Sequence, residues 1–224
     1  MRLALFGHGA MGRLVEARAR DAARAGAEIA GDLRGHDAAI DFSVAPAVPR
    51  NVEACARANV PLVEGTTGWN ARAEDVRRVV ADHDGALVFG ANFSVGVQIF
   101  YRVVARAAGL FAAVEGYEPF VEEAHHSRKR DAPSGTALVL RDIVAARLGD
   151  KAISVASTRA GHIPGTHRVG FDSAADQITL THAARSREGF AAGALLAARW
   201  VQGRRGVYEF SEVFDEIVAG GKKE

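Results

Sequence analysis

The segment RLALFGHGAMG, residues 2–12, sets the architecture of the first half of the chain. Residues 2–6 are a short apolar run suited to a buried strand, and a helical pattern follows over residues 11–24. Between them Gly7-His8-Gly9-Ala10-Met11-Gly12 spells G-x-G-x-x-G in the strand–turn–helix context that a dinucleotide-binding turn requires. Gly7 permits the tight turn, Gly9 lets backbone approach a pyrophosphate, and Gly12 allows close packing of helix on strand. Asp32 follows about twenty residues on, where a carboxylate would accept hydrogen bonds from the adenine ribose. A plain turn at Gly7–Gly12 and a strand-end turn at Asp32 are the alternative readings.

Working outward, strands are expected at residues 28–30, 38–42, 61–63 and 86–89, with helices at 47–58 and 71–82 between them. Such alternation predicts a parallel sheet with crossover helices. Ligands on these sheets bind beyond the carboxyl ends of the strands. Two further loops fall on that edge, one with Gly65, Thr66 and Thr67, the other with Ala91, Asn92 and Phe93. Their small and polar residues could bracket a nicotinamide ring and its ribose, or serve as capped loops.

Beyond residue 93 the texture changes. A long apolar helix (95–111) leads to a strand (117–123), a helix (134–148) and strands at 153–158, 168–171 and 177–182. Strands without matching crossover helices predict a mixed or antiparallel sheet, hence a second, α+β domain. A helix at 189–201 and a tail at 206–218 are expected to return to the first domain. The chain is thus read as α/β, a Rossmann-like domain over 1–93 and 198–224 and a mixed-sheet domain over 94–197.

Chemistry concentrates in EEAHHSRKRDAPSGTA, residues 122–137. His125 and His126 are adjacent, so on an extended segment their rings point to opposite sides. Lys129 stands between Arg128 and Arg130, whose crowding would disfavour its charged form and make it a better acid. Ser134-Gly135-Thr136 opens an apolar helical run, and the unpaired N–H groups of a helix start attract carboxylate or phosphate. Adjacent histidines rarely ligate one ion, and no second His/Cys cluster appears, so no metal is expected. His8 reads as a solvent-facing spacer and His182 as structural. Arg187 could close a site electrostatically or be a solvated cation ahead of a helix.

Composition narrows the class. With 224 residues, 48% hydrophobic and 25% charged, the chain can bury one large core or two small ones. A net charge of +1 argues against nucleic acid or membrane as main partner. The single cysteine, Cys55, excludes an internal disulfide and fits a reducing cytoplasm, where its apolar neighbours suggest a buried, inert thiol. The start of the chain is a strand pattern rather than a signal peptide, and no apolar run nears the length of a membrane span.

The motif E-x-H-H-x-x-K-x-D-A-P-S-G-T-A, residues 123–137, closely resembles the signature of the dihydrodipicolinate reductases of bacterial lysine and diaminopimelate synthesis. GTTG (65–68), ANFSVGV (91–97) and the stretch from RAGHIPGTHRVGF (159–171) to the helix near residue 200 resemble the same family. The resemblance implies NADH- or NADPH-dependent reduction of 4-hydroxy-tetrahydrodipicolinate, a small cyclic dicarboxylate, with loss of water. It also implies cofactor contacts from Gly7, Gly9, Ala10, Met11, Gly12, Asp32 and the two strand-end loops. His125 would move the proton and Lys129 would assist the departing hydroxyl, while His126, Ser134, Gly135 and Thr136 bind substrate. A homotetramer built through the substrate-domain sheet and hinge closure over the substrate are further expectations. The linker 33–37 is shorter than the family's, and His162 and Thr166 stand where acidic residues are commoner. Another small-substrate dehydrogenase would explain the glycine turn but not the His–His–Lys motif. A non-catalytic dinucleotide sensor would have to retain that motif without use.

Overall fold

The computed structural model describes residues 1–21, 26–29, 32–149 and 152–220. It divides into two compact units: Met1–Val95 with the residues from Arg187 on, and Gly96–Ser186. Elements are numbered along the chain. The first unit holds strands β1 (Arg2–Phe6), β2 (Gly26–Ile29), β3 (Ala38–Asp41), β4 (Leu62–Glu64), β5 (Ala86–Phe89) and β10 (Gly206–Glu209). Its helices are α1 (Ala10–Asp21), α2 (Val48–Arg57), α3 (Ala73–Asp82), α6 (Glu188–Trp200) and α7 (Phe210–Gly220).

The six strands form one parallel sheet in the order β10-β5-β4-β3-β1-β2. Because side chains alternate along a strand, Leu3 and Leu5 join the layer of α1, α6 and α7, whereas Ala4 joins the layer of α2 and α3. Burial on both faces is why these strands read as continuous apolar runs. The strand order reverses between β1 and β3, the switch point beside which such sheets bind ligands.

Most elements lie where the residue pattern places them, with shifts at the ends. The helices expected from 47 and 71 begin as 3₁₀ turns, Ala45–Ala47 and Asn70–Arg72, ahead of α2 and α3. The expected helix end at 22–24 and Ala30 lie outside the described residues. The return to the first unit begins at Arg187 rather than at residue 198, because Ala191, Ala194, Leu195, Ala197 and Ala198 of α6 pack in the same core as Leu3 and Val15.

In the second unit, β6 (Glu118–His125), β7 (Ser154–Arg159), β8 (Thr166–Asp172) and β9 (Gln177–Ala183) form a sheet in the order β7-β6-β8-β9. β6 runs parallel to β7 and antiparallel to β8, so the sheet is mixed. Helices α4 (Val95–Phe111) and α5 (Gly135–Arg147) cover one face, packing Val104, Ala108, Leu140 and Val144 onto Val121, Val169 and Phe171. The Phe111 and Phe171 rings stack with centroids 4.2 Å apart. On the alternate positions Ser154, Ala156, Thr158, Thr179 and Thr181 are exposed, and among the described residues of this unit no helix covers them.

Candidate active site

β6 extends two residues beyond its expected end and carries His125 as its last residue. Glu123 and His125 are two apart, so both project from one face of the strand. His125 Nδ1 lies 2.5 Å from Glu123 Oε2. The register sets Arg159 of β7 opposite His125, and Arg159 grips the carboxylate through both nitrogens, Nη2 to Oε1 at 2.6 Å and Nη1 to Oε2 at 2.9 Å. The Ser134 N–H donates to the same carboxylate at 3.3 Å. Glu123 is 3% exposed. Burial alone would raise its pKa, yet hydrogen bonds from Arg159, Ser157 and His125 with the guanidinium charge hold it down at about 2.

The antiparallel partner strand supplies His167, opposite Glu123. Its ring stands edge-on to His125 with centroids 5.1 Å apart, and its Nε2 lies 3.0 Å from Ser134 Oγ. Burial, followed by the charge of neighbouring His125, pushes His167 down to about 4, so it is neutral at pH 7. His125 is lowered by burial too, against which Glu123 acts to raise it. Donor atoms of Glu123, His125 and His167 lie within 4.8 Å of one another. A cation there would have to displace Arg159, which already occupies both oxygens of Glu123.

Ser134 terminates the turn by capping α5: it is extended (φ −69°, ψ 153°) and its Oγ accepts the Ala137 N–H at 3.2 Å. The helix therefore starts at Gly135, at the positive end of its dipole. Gly135 is exposed, and a Cβ placed on it would meet nothing within 4 Å, leaving room for an anion to approach the backbone. The Thr136 side chain bonds Tyr101. His126 has a buried Nδ1 without a hydrogen-bond partner among the described residues. Lys129 Nζ lies 2.9 Å from Asp131 Oδ1. Lys129 therefore has an acidic partner as well as its cationic chain neighbours Arg128 and Arg130.

On the first unit, the glycine turn is crowded at Gly7 and Gly12 and open at Gly9. Gly7 adopts φ +82°, and a Cβ there would lie 2.7 Å from the Phe42 carbonyl oxygen; one on Gly12 would lie 2.1 Å from that of Gly7. Around Gly9 the space is open, as backbone approach to a pyrophosphate requires. Ala10 begins α1 and Met11 is half-buried behind it. His8 is exposed but no mere spacer, since its Nε2 pairs with Glu16 at 2.9 Å. Asp32 is exposed and bound by Arg34, Nη2 to Oδ2 at 2.6 Å, which holds it at about 2. Gly65 accommodates the Phe42 ring, 2.1 Å from where its Cβ would stand. Phe93 is 1% exposed and packs against Phe42 and Phe210, so only its backbone could meet a cofactor. Asn92 Oδ1 accepts the Ser94 N–H at 2.9 Å, Ala91 and Thr67 are exposed, and Arg187 is exposed ahead of α6.

Beneath these loops lies a buried network that residue patterns do not reveal. Asp41 and Glu64 end β3 and β4 and are 0% exposed. Asp41 accepts from Asn51 Nδ2 and the Ser43 N–H, both at 2.7 Å, and Glu64 accepts the Thr66 N–H at 2.6 Å. Burial, then the charge of Asp41, pushes Glu64 up to about 9.

The first unit thus carries an open glycine turn on a Rossmann-like sheet, and the second a histidine–carboxylate cluster beside a helix start. The models of the dihydrodipicolinate reductase N-terminus and C-terminus match residues 22–93 and 96–214. The chain is 33% identical to a 4-hydroxy-tetrahydrodipicolinate reductase of Christiangramia forsetii, over 97% of this chain and 99% of that one. It is 38% identical to one of Anaeromyxobacter sp., over 83% and 76%. A dipicolinate-bound dihydrodipicolinate reductase from Paenisporosarcina sp. TG-14 shares the fold with TM-score 0.78 at 18% identity, over 95% of this chain and 99% of that one. The chain belongs to the dihydrodipicolinate reductase family.

Proposed function

We propose that His125, Lys129 and the start of α5 carry out the family's reaction in this chain. That reaction is the nicotinamide-dependent reduction of 4-hydroxy-tetrahydrodipicolinate to tetrahydrodipicolinate with loss of water, in lysine and diaminopimelate biosynthesis. The observation that carries the assignment of residues is the His125–Glu123–Arg159 cluster, tied through the Ser134 N–H to the cap of a helix with an open first turn. One carboxylate of the substrate seats on the N–H groups of Gly135 and Thr136. His126 hydrogen-bonds the substrate, and His125, with a ring suited to either role near neutrality, gives or takes the proton. Lys129 leaves Asp131 to protonate the departing hydroxyl or to hold developing negative charge.

The cofactor, when bound, supplies the hydride. Gly7, Gly9, Ala10, Met11 and Gly12 would receive its pyrophosphate, Asp32 its adenine ribose, and Gly65–Thr67 with Ala91–Phe93 its nicotinamide end. The open space at Gly9 fits this use. The uncovered face of the β6–β9 sheet, where Arg168 pairs with Glu122 at 3.0 Å, supports association into a homotetramer through that sheet. The buried, lone Cys55 is in keeping with the cytoplasm. Among the described residues no helix is long and apolar enough to cross a membrane.

The test is a coupled assay that generates the unstable substrate in place and follows NAD(P)H absorbance. Lys129→Ala and His125→Gln should each lower kcat by about 10²–10⁴-fold, the scale of general acid–base catalysis. The melting temperature of Lys129→Ala should stay near that of the parent, since its ion-pair partner Asp131 is exposed. Near-normal turnover in either variant removes that residue from the mechanism.

A further inference from the structure

Glu123 makes more contacts than packing requires. One carboxylate accepts from His125, from both terminal nitrogens of Arg159, and from the N–H of the residue that caps α5. Arg159 in turn donates to the Asp131 carbonyl oxygen at 2.6 Å, and Asp131 is the partner of Lys129. An ionised carboxylate can only accept. The nitrogen of His125 that faces it must therefore carry the proton, which leaves Nε2 as the working nitrogen. Gly165 stands beside that Nε2, and a Cβ there would come within 3.1 Å of it.

We infer that Glu123 is a positioning residue: clamped by Arg159, it fixes the Nδ1–H tautomer of His125, presents Nε2 to the substrate, and holds that nitrogen at a set distance from the carboxylate seat on α5. The inference rests on the proposed role of His125. Orientation of an acid–base group by a buried carboxylate is a general device. The same carboxylate also accepts the N–H of Ser134, the cap of α5, a contact that the amide oxygen of a glutamine can keep. The groups facing His125 are Glu123, Arg159, His167 and Lys129, and of these only Glu123 raises its pKa.

The tautomer can be read directly in the unmodified protein from the ring ¹⁵N shifts of His125, assigned by their loss in His125→Gln. The proton should reside on Nδ1 at neutral pH; a proton on Nε2 overturns the inference. In kinetics, Glu123→Gln should lower kcat about 10–10³-fold, leave KM within about threefold, and move the His125-dependent limb of the pH profile to lower pH. The double variant Glu123→Gln/His125→Gln should be no slower than His125→Gln alone, because the carboxylate acts through that ring. Multiplicative losses, or an unmoved pH limb, also overturn it. If His125→Gln itself turns over normally, the reading of His125 has failed, and the tautomer measurement alone then decides what Glu123 does.

Discussion

Two buried glutamates stand near strand ends in the two units, and their surroundings drive them in opposite directions. Glu64 ends β4 beneath the Thr66–Thr67 loop, where burial and the neighbouring Asp41 outweigh the Thr66 N–H and push it up to about 9. Glu123, also on a strand, is buried too, though less deeply, and its bidentate arginine outweighs the effect of burial and holds it at about 2. Burial sets the size of the cost of charge; the partner decides whether the charge survives. The first unit thus keeps a neutral acid that can donate to Asp41 and stiffen the floor of a loop. The second keeps an ionised carboxylate that can orient a histidine.

Arg159→Gln should break this contrast most severely. Removing one member of a buried pair costs about 3–5 kcal/mol, readable as a lower midpoint in urea at pH 7. Glu123 should then titrate upward, as Glu64 does. The sign follows from the protons bound. A carboxyl held at about 2 when folded, against 4.5 ordinarily, adds stability that is present above pH 4.5 and lost as the pH falls towards 2. The variant should lose less than the parent over that window. An equal loss would mean that another group governs acid unfolding.

Glu64→Gln should sharpen the contrast with a smaller change of opposite sign. A carboxyl raised from 4.5 to about 9 gives stability that is complete below pH 4.5 and declines as the pH rises to about 9. An uncharged isostere has nothing to lose there, so at pH 8 the variant should be the more stable, read as a higher midpoint in urea. At pH 4 the two should converge. A variant less stable at both pH values would show that Glu64 is not held as a neutral acid.

The smallest effect is expected at Asp32 and Arg34. The carboxylate favours the ribose hydroxyls of NADH, while the guanidinium is available to a 2′-phosphate only by leaving Asp32. A modest preference for NADH should follow, moved towards NADPH by Asp32→Ser and towards NADH by Arg34→Ala. Comparison of kcat/KM with the two cofactors checks it. A strong NADPH preference unchanged by Arg34→Ala would place the ribose pocket elsewhere.

Residues near one another in the chain determined much of this protein without help from the fold. The glycine turn, the apolar run of β1, the helix start at Ser134 and the His–His–Lys motif are each written in residues close together in the chain, so spacing alone reveals them. Glu123 too was legible in principle, two residues before His125 on a strand, though its own residue type announces no role. Only the tertiary structure decided the rest. Arg159 and His167 meet Glu123 because of the register of β7 and β8 on β6. Asp41 and Glu64 face each other because β3 and β4 are neighbours. Register between distant strands is chosen by the burial of whole faces rather than by any local signal. Which carboxyl ends beside a cation, and which beside another acid, is therefore known only once the strands are paired.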